Sequence, residues 1–516
     1  MRARNRQQAM RQQVATSHSV TAPTGGLNAR DALSMMPPED AVIMDNWFPG
    51  TTAIALRGGT VNWKTGFPGW VETIFAYNTR TGTNKLFGIA SGSIYDATTQ
   101  GAVGAAVVSG LTNSRWNYTN FGTPGGVYLY ACNGEDSPLL YDGSSWAAIT
   151  GVSTPAITGV TTSSLISVIA HQQRLWFIEK DSMKVWYLPV SSIGGAALSI
   201  DFSSLFKLGG YIMALASLSV DAGTGMDDHL AIITSEGEVA LYQGYDPSSI
   251  GTWSLVGVFK IGRPMGRRCV TQYVADAVII TTDGIYPLSQ AIISNRLRPK
   301  DALSDKIRNL INTDAANYFS NFGWEATVYP IGKKLIINVP VVTNNSYYQY
   351  VMNTESKSWC RFVDLNTACW EVQENVLYSG CANQICVQDT GTPDTMTFDL
   401  LTAFNFFKDR VNRKKFNLVR PVFQISGSIT GFIGVATEYS QVVPETTFTL
   451  DNGSGSPWDT SPWDTSYWSD TSIIITDWIP TSSIGFCGAL RCQGTTLGAQ
   501  GYIQATDYVY ERGGVL

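Results

Sequence analysis

The stretch LAIITSEGEVALYQGYDP, residues 230–247, decides the fold class. Leu230 to Thr234 is an unbroken apolar and β-branched run, the pattern of a strand buried on both faces. Ser235, Glu236 and Gly237 make a polar turn in which glycine takes a positive φ at low steric cost. Val239 to Tyr242 begin a second strand, so the stretch reads as a hairpin. Similar units stand at 85–97, 127–146, 174–190, 277–290, 335–362 and 376–391. Gly92, Gly134, Gly284 and the pair Asn344 and Asn345 take the place of Gly237. The unit starts lie 41 to 58 residues apart. Four-stranded propeller blades recur at about 40–50 residues, whereas sandwich strands recur at roughly 8–12. The spacing predicts an all-β chain with a β-propeller of six to seven blades over 65–398 and few short helices.

The flanks read differently. Residues 424–439 (QISGSITGFIGVATEY) and 501–516 (GYIQATDYVYERGGVL) alternate apolar and polar side chains, which predicts a β-rich platform domain over 399–516. Residues 25–64 are expected to pack with that platform. Within them, Pro37 and Pro38 before Glu39 and Asp40 read as a helix start, ended by a turn at Trp47, Phe48 and Pro49. A further helix is expected over 299–319, with Leu303, Ile307, Leu310 and Ile311 on one face and Asp301 or Ser304 as its cap. Residues 1–24 read as a flexible or docking arm.

Composition narrows the class. Of 516 residues only 15% are charged, against about 25% in average domains, and 49 are glycine. With 44% hydrophobic content the chain is not disordered, and eight cysteines are too few for a disulfide scaffold. The cysteines are expected reduced and buried. A net charge of −6 excludes a generally basic nucleic-acid binder. No run of 18 apolar residues predicts a membrane span, and the start lacks the apolar core of a secretion signal.

Chemistry-bearing patterns are sparse. The histidines are His18, His171 and His229, and no GxSxG motif accompanies them. Cys381 and Cys386, like Cys487 and Cys492, lack zinc-ligand spacing. Gly257 to Gly262 is followed by Arg263 and Pro264, not by the Lys-Ser/Thr of a phosphate loop. No catalytic residue, metal or cofactor is therefore expected. The repeat PWDTSPWDTSYW (457–468) offers Asp459 and Asp464 as a glycosidase-like carboxylate pair, but its Pro, Ser and Thr also make ordinary turns around packed Trp, the preferred reading. Trp47, Trp458, Trp463 and Trp468 are candidate interface or loop aromatics. Arg2, Arg4, Arg6 and Arg11 in the arm, with Lys408, Arg410, Arg413, Lys414 and Lys415, are candidate partner-docking residues.

Three phrases carry a resemblance: GGLNARDALSMMPPEDAVIMDNWFPGTTAIALRGG (25–59), the PWDTSPWDTSYW loop and the terminal YVYERGGVL (508–516). They resemble the tail nozzle, or tail tubular B-type, proteins of short-tailed bacteriophages, also described as packaged-DNA stabilisation or tail accessory factors. The resemblance implies a non-enzymatic virion tail component, assembled in the bacterial cytoplasm as a homohexameric ring. Such a ring extends the DNA channel below portal and adaptor, retains packaged DNA and anchors fibres or spikes. Its implied partners are the adaptor, the fibres or spikes, a needle or plug, and double-stranded DNA passing non-specifically through the lumen. A lumen that lets DNA slide should not attract phosphate, so Glu135, Asp136, Glu236 and Asp283 are candidate lumen or loop acids. The alternatives are a glycan-binding or glycan-cleaving propeller and a DNA-interacting protein acting through the arm and 408–415. Against the former, Thr282-Asp283-Gly284-Ile285 lacks the Thr-Trp that ends a sialidase-type turn.

Overall fold

The hairpin expected at 230–247 is present. Strands Met226–Thr234 and Glu238–Gly244 pair antiparallel, with Ile233 opposite Val239. Gly237 turns between them at φ +83°, and a Cβ there would sit 2.4 Å from the Ile261 carbonyl oxygen. Five other units form hairpins in the same way: Lys85–Ala90 with Ser93–Asp96, Gly126–Cys132 with Leu139–Tyr141, Arg174–Glu179 with Lys184–Tyr187, Asp276–Thr281 with Gly284–Pro287, and Lys334–Val342 with Ser346–Asn353. The unit at 376–391 does not. It is one strand, Val376–Thr390, because Asn383 at φ +60° bends the chain without reversing it.

The computed structural model describes residues 15–79, 82–221, 226–249, 251–273, 276–293, 299–391, 395–451, 473–475 and 477–513. The chain divides into two units, one of residues 58–391 and one made of 1–57 with 392–516.

Residues 58–391 form an all-β propeller. Antiparallel sheets succeed one another along the chain, and apolar side chains pack from each sheet onto the next. Phe121 and Tyr130, for example, share a buried cluster with Leu165, Leu175 and Phe177, and Trp176 and Ile178 share another with Leu230 and Ile232. The first and last strands close the ring, since Gly59–Tyr77 pairs with Val376–Thr390 and Thr390 lies opposite Gly59. Val71 and Ile74 accordingly share a core with Cys369, Tyr378 and Ile385. Among the described residues, five sheets of three or more strands lie wholly within this unit, not the six to seven expected from the repeats. Pairing through the long strands Gly59–Tyr77 and Val376–Thr390 merges repeats into one sheet, so sheets and repeats do not correspond one to one. The helix expected over 299–319 begins only at Arg308 and ends at Tyr318. Ser304 caps no helix: its hydroxyl accepts the Ile285 amide at 2.9 Å, and Pro299–Asp301 and Asp305–Ile307 are separate 3₁₀ turns.

The other unit is built on two long antiparallel strands, Lys414–Thr437 and Gly488–Arg512. Thr16–Thr21 and Met396–Thr402 pair with the second of them, and Asp40–Asp45 pairs with Met396–Thr402. The expected helix at Pro37 is thus a turn followed by a strand. Val42 and Ile43 are β-branched, and pairing with Met396–Thr402 holds their segment extended. The turn expected at Trp47 is the strand Trp47–Pro49, paired with Ile54–Leu56.

Candidate functional site

Two places gather charged side chains: the centre of the propeller and the basic loop of the second unit. In the propeller, a shaft of about 220 Å³ is bounded by residues of Gly59–Tyr77, Asn117–Thr123, Leu165–His171, Ile212–Asp221, Val270–Tyr273, Glu325–Tyr329 and Cys369–Gln373. Because strand side chains alternate, each of these strands sends some residues to the shaft and others into the cores between sheets. Arg268 ties the wall together. It donates to the carbonyl oxygens of Glu72 and Trp116, both at 3.0 Å, and lies 3.7 Å from the Glu325 carboxylate. Glu371 accepts from the Tyr118 hydroxyl at 2.7 Å and from the Val372 amide at 3.0 Å. Enclosure by protein pushes its carboxyl up to about 7, with Glu325 adding repulsion, although Glu371 lines the shaft. Burial likewise raises Glu325.

A cavity of about 430 Å³ shares Asn117, Arg267 and Arg268 with the shaft and forms its mouth. Arg115 and Lys180 also line it, with Phe319, Phe322 and Tyr211 as aromatic walls. The sequence reading missed this site. Its signal was the pair Arg267 and Arg268 in a chain poor in charge, just beyond the Gly257 to Pro264 stretch read there as a broken phosphate loop.

The acids expected at a lumen or in loops are engaged within the propeller. Glu135 pairs with Lys180, and Glu236 with Arg263 at 3.2 Å. Asp136 accepts from the Thr112 amide and hydroxyl at 2.8 and 2.7 Å. Asp283 sits in the turn beside Gly284, and the Thr282 hydroxyl lies 3.3 Å from it. Among the histidines, His171 is neutral at pH 7, since burial lowers it to about 4. Its Nδ1 lies 2.9 Å from the Ser217 hydroxyl, and among the described residues its Nε2 has no hydrogen-bond partner, whereas a triad base needs an orienting carboxylate. His229 is buried in Met226–Thr234, and His18 packs its ring edge on Phe407. Seven of the eight cysteines are buried, Cys381 being half-buried.

In the second unit, Phe407 and Lys408 both take positive φ, +53° and +62°. This turn drives Phe407 into a ring cluster with Phe416, Tyr508 and Tyr510 and presents Lys408 outward. Arg410 lies over Phe406 at 4.1 Å and Arg413 over Phe486 at 5.4 Å. Lys408, Arg410, Arg413 and Lys415 are exposed. Lys414 is not a docking residue. It is fully buried, and its ammonium donates to the carbonyl oxygens of Asp409, Asn412 and Phe486. Trp47 is not an interface residue either. Asn46 at φ +60° turns it inward onto Phe398, with ring centroids 5.5 Å apart. Arg2, Arg4, Arg6, Arg11, Trp458, Trp463, Trp468, Asp459 and Asp464 lie outside the described residues.

No helix among the described residues is long and apolar enough to cross a membrane. No protein-family model matches the chain, and no curated protein matches it in sequence. Solved structures similar to residues of this chain include BBS1N in complex with ARL6DN, at 10% identity and TM-score 0.39, covering 65% of this chain and 97% of that one. YCF48 from Cyanidioschyzon merolae matches at 11% identity and TM-score 0.35, covering 64% and 96%. The beta-propeller domain of Myceliophteria thermophila Cps50 (Swd1) matches at 11% identity and TM-score 0.37, covering 65% and 99%.

Proposed function

We propose that this chain is a non-catalytic structural component of a short-tailed bacteriophage tail, of the nozzle type, and that its copies assemble as a hexameric ring around a DNA channel. One observation supports the reading above others: two of the phrases that carry the resemblance, far apart in sequence, belong to one unit. Asp40–Asp45, Trp47–Pro49 and Ile54–Leu56 from the first phrase join the sheet of Gly488–Arg512, whose last residues include the start of the terminal phrase. The propeller is the insertion between them.

The shaft, filled by Arg, Glu, Trp and Tyr side chains, leaves no room for a duplex. The channel of such a ring therefore lies between copies, not through a propeller. Lys408, Arg410, Arg413 and Lys415 are the exposed cations offered to an adaptor, fibre or spike. Mass photometry of the purified chain, alone and with a head-to-tail adaptor protein of a short-tailed phage, tests this: a species of six copies is expected. A strict monomer under both conditions overturns the ring.

A further inference from the structure

The mouth of the propeller shaft holds four cations, Arg115, Lys180, Arg267 and Arg268, and one lining acid, Glu135. They are not equally committed to the fold. Arg268 is held by three protein acceptors, including the Thr73 hydroxyl at 2.5 Å. Lys180 is paired with Glu135. Arg115 gives only its Nε to Glu72, at 3.0 Å, and among the described residues its terminal nitrogens have no protein acceptor. Arg267 reaches the carbonyl oxygens of Ile212 and Met213 only at 3.4 Å, and its acid, Asp181, lies 3.8 Å away with two thirds of its side chain in solvent. Phe322 stands between Arg115 and Arg268, 4.2 and 5.5 Å from their guanidinium carbons, and gives the cavity a flat aromatic wall.

We propose that this mouth binds an extended acidic segment of a partner protein that also carries an aromatic side chain. Arg115 and Arg267 would take its carboxylates through charge-assisted hydrogen bonds, and its ring would lie against Phe322 and the guanidinium plane of Arg115. A peptide fits where a double helix does not: the cavity, about 430 Å³, admits side chains of an extended segment and is too small for a duplex.

Fluorescence anisotropy of the full chain with a labelled Asp-Phe-Asp-Phe-Asp peptide tests the assignment. Saturable binding is expected, weakened about tenfold by Arg115→Gln and by Arg267→Gln, each removing one charge-assisted contact. Arg115 is partly exposed, so R115Q keeps the test readable if R267Q does not fold. A Lys-Phe-Lys-Phe-Lys peptide should not compete. The proposal is overturned if the acidic peptide does not bind, if R115Q binds it as the unaltered chain does, if the basic peptide competes equally, or if a short DNA duplex displaces it.

Discussion

The two units differ in how far apart along the chain their paired strands lie. In the propeller, Ile233 pairs with Val239 and Thr281 with Gly284. In the other unit, Thr16 pairs with Tyr510 and Leu401 with Arg491. Local hairpins close small loops at small entropic cost, whereas pairing of the chain ends carries a larger closure cost before any contact rewards it. The propeller lowers that cost for its neighbour, because the pairing of Gly59 with Thr390 already brings its own entry and exit together. One unit is thus assembled from parts that can form separately, and the other depends on both ends at once.

The sharpest way to break that asymmetry is to remove residues 504–516. This strips Thr16–Thr21 of every partner in Gly488–Arg512 and Lys414–Thr437 of its pairing with that strand from Lys414 to Val422. The expected outcome is loss of amide protection throughout Met396–Thr402 and Lys414–Thr437, with the propeller hairpins still protected. Hydrogen exchange read by mass spectrometry checks it. Unchanged protection in the long strands would mean that their cohesion is local after all.

The same asymmetry governs what a sequence reader can see. The hairpins were legible because turn chemistry and strand pattern sit within one short stretch, as at Gly237 and Gly284. The unit at 376–391 misled because its break is Asn383, a residue that bends a strand as readily as it ends one. In the other unit, Trp47 read as a surface aromatic because its ring partner, Phe398, lies far along the chain. Lys414 read as one of a run of partner-docking cations because nothing near it shows that the Phe486 carbonyl will take its ammonium. The mouth of the shaft was hidden for the same reason: its lining comes from segments spread between Asn113 and Trp324, and of its cations only Arg267 and Arg268 are adjacent in sequence.

Lys414 offers the next test. Its buried ammonium satisfies three carbonyl oxygens, and truncation leaves all three without a donor. Lys414→Met keeps the apolar stem and removes the charge. It should cost about 3 kcal/mol, felt in the discontinuous unit and not in the propeller. Urea denaturation followed by exchange protection in each unit separates the two. An equal loss in both would mean that they unfold together, which would erase the contrast.

The propeller buries the opposite charge, and with weaker support. Glu371 has the Tyr118 hydroxyl and one backbone amide, where Lys414 has three carbonyls. Arg268 favours its charged form and Glu325 opposes it, but enclosure dominates and holds the carboxyl at about 7, above its ordinary 4.5. A folded state that keeps the proton longer than the unfolded chain is stabilised at low pH. That contribution is complete below about 4.5 and disappears as pH rises through about 7. Glu371→Gln keeps the shape and cannot ionise. Relative to the variant, the unaltered propeller should lose roughly 2 kcal/mol between pH 4.5 and 8, after allowance for water in the shaft. Urea midpoints of both proteins at four pH values across that window measure the difference directly. If the gap between them does not grow with pH, Glu371 is ionised in the folded propeller throughout, and the shaft is wetter than its enclosing strands imply.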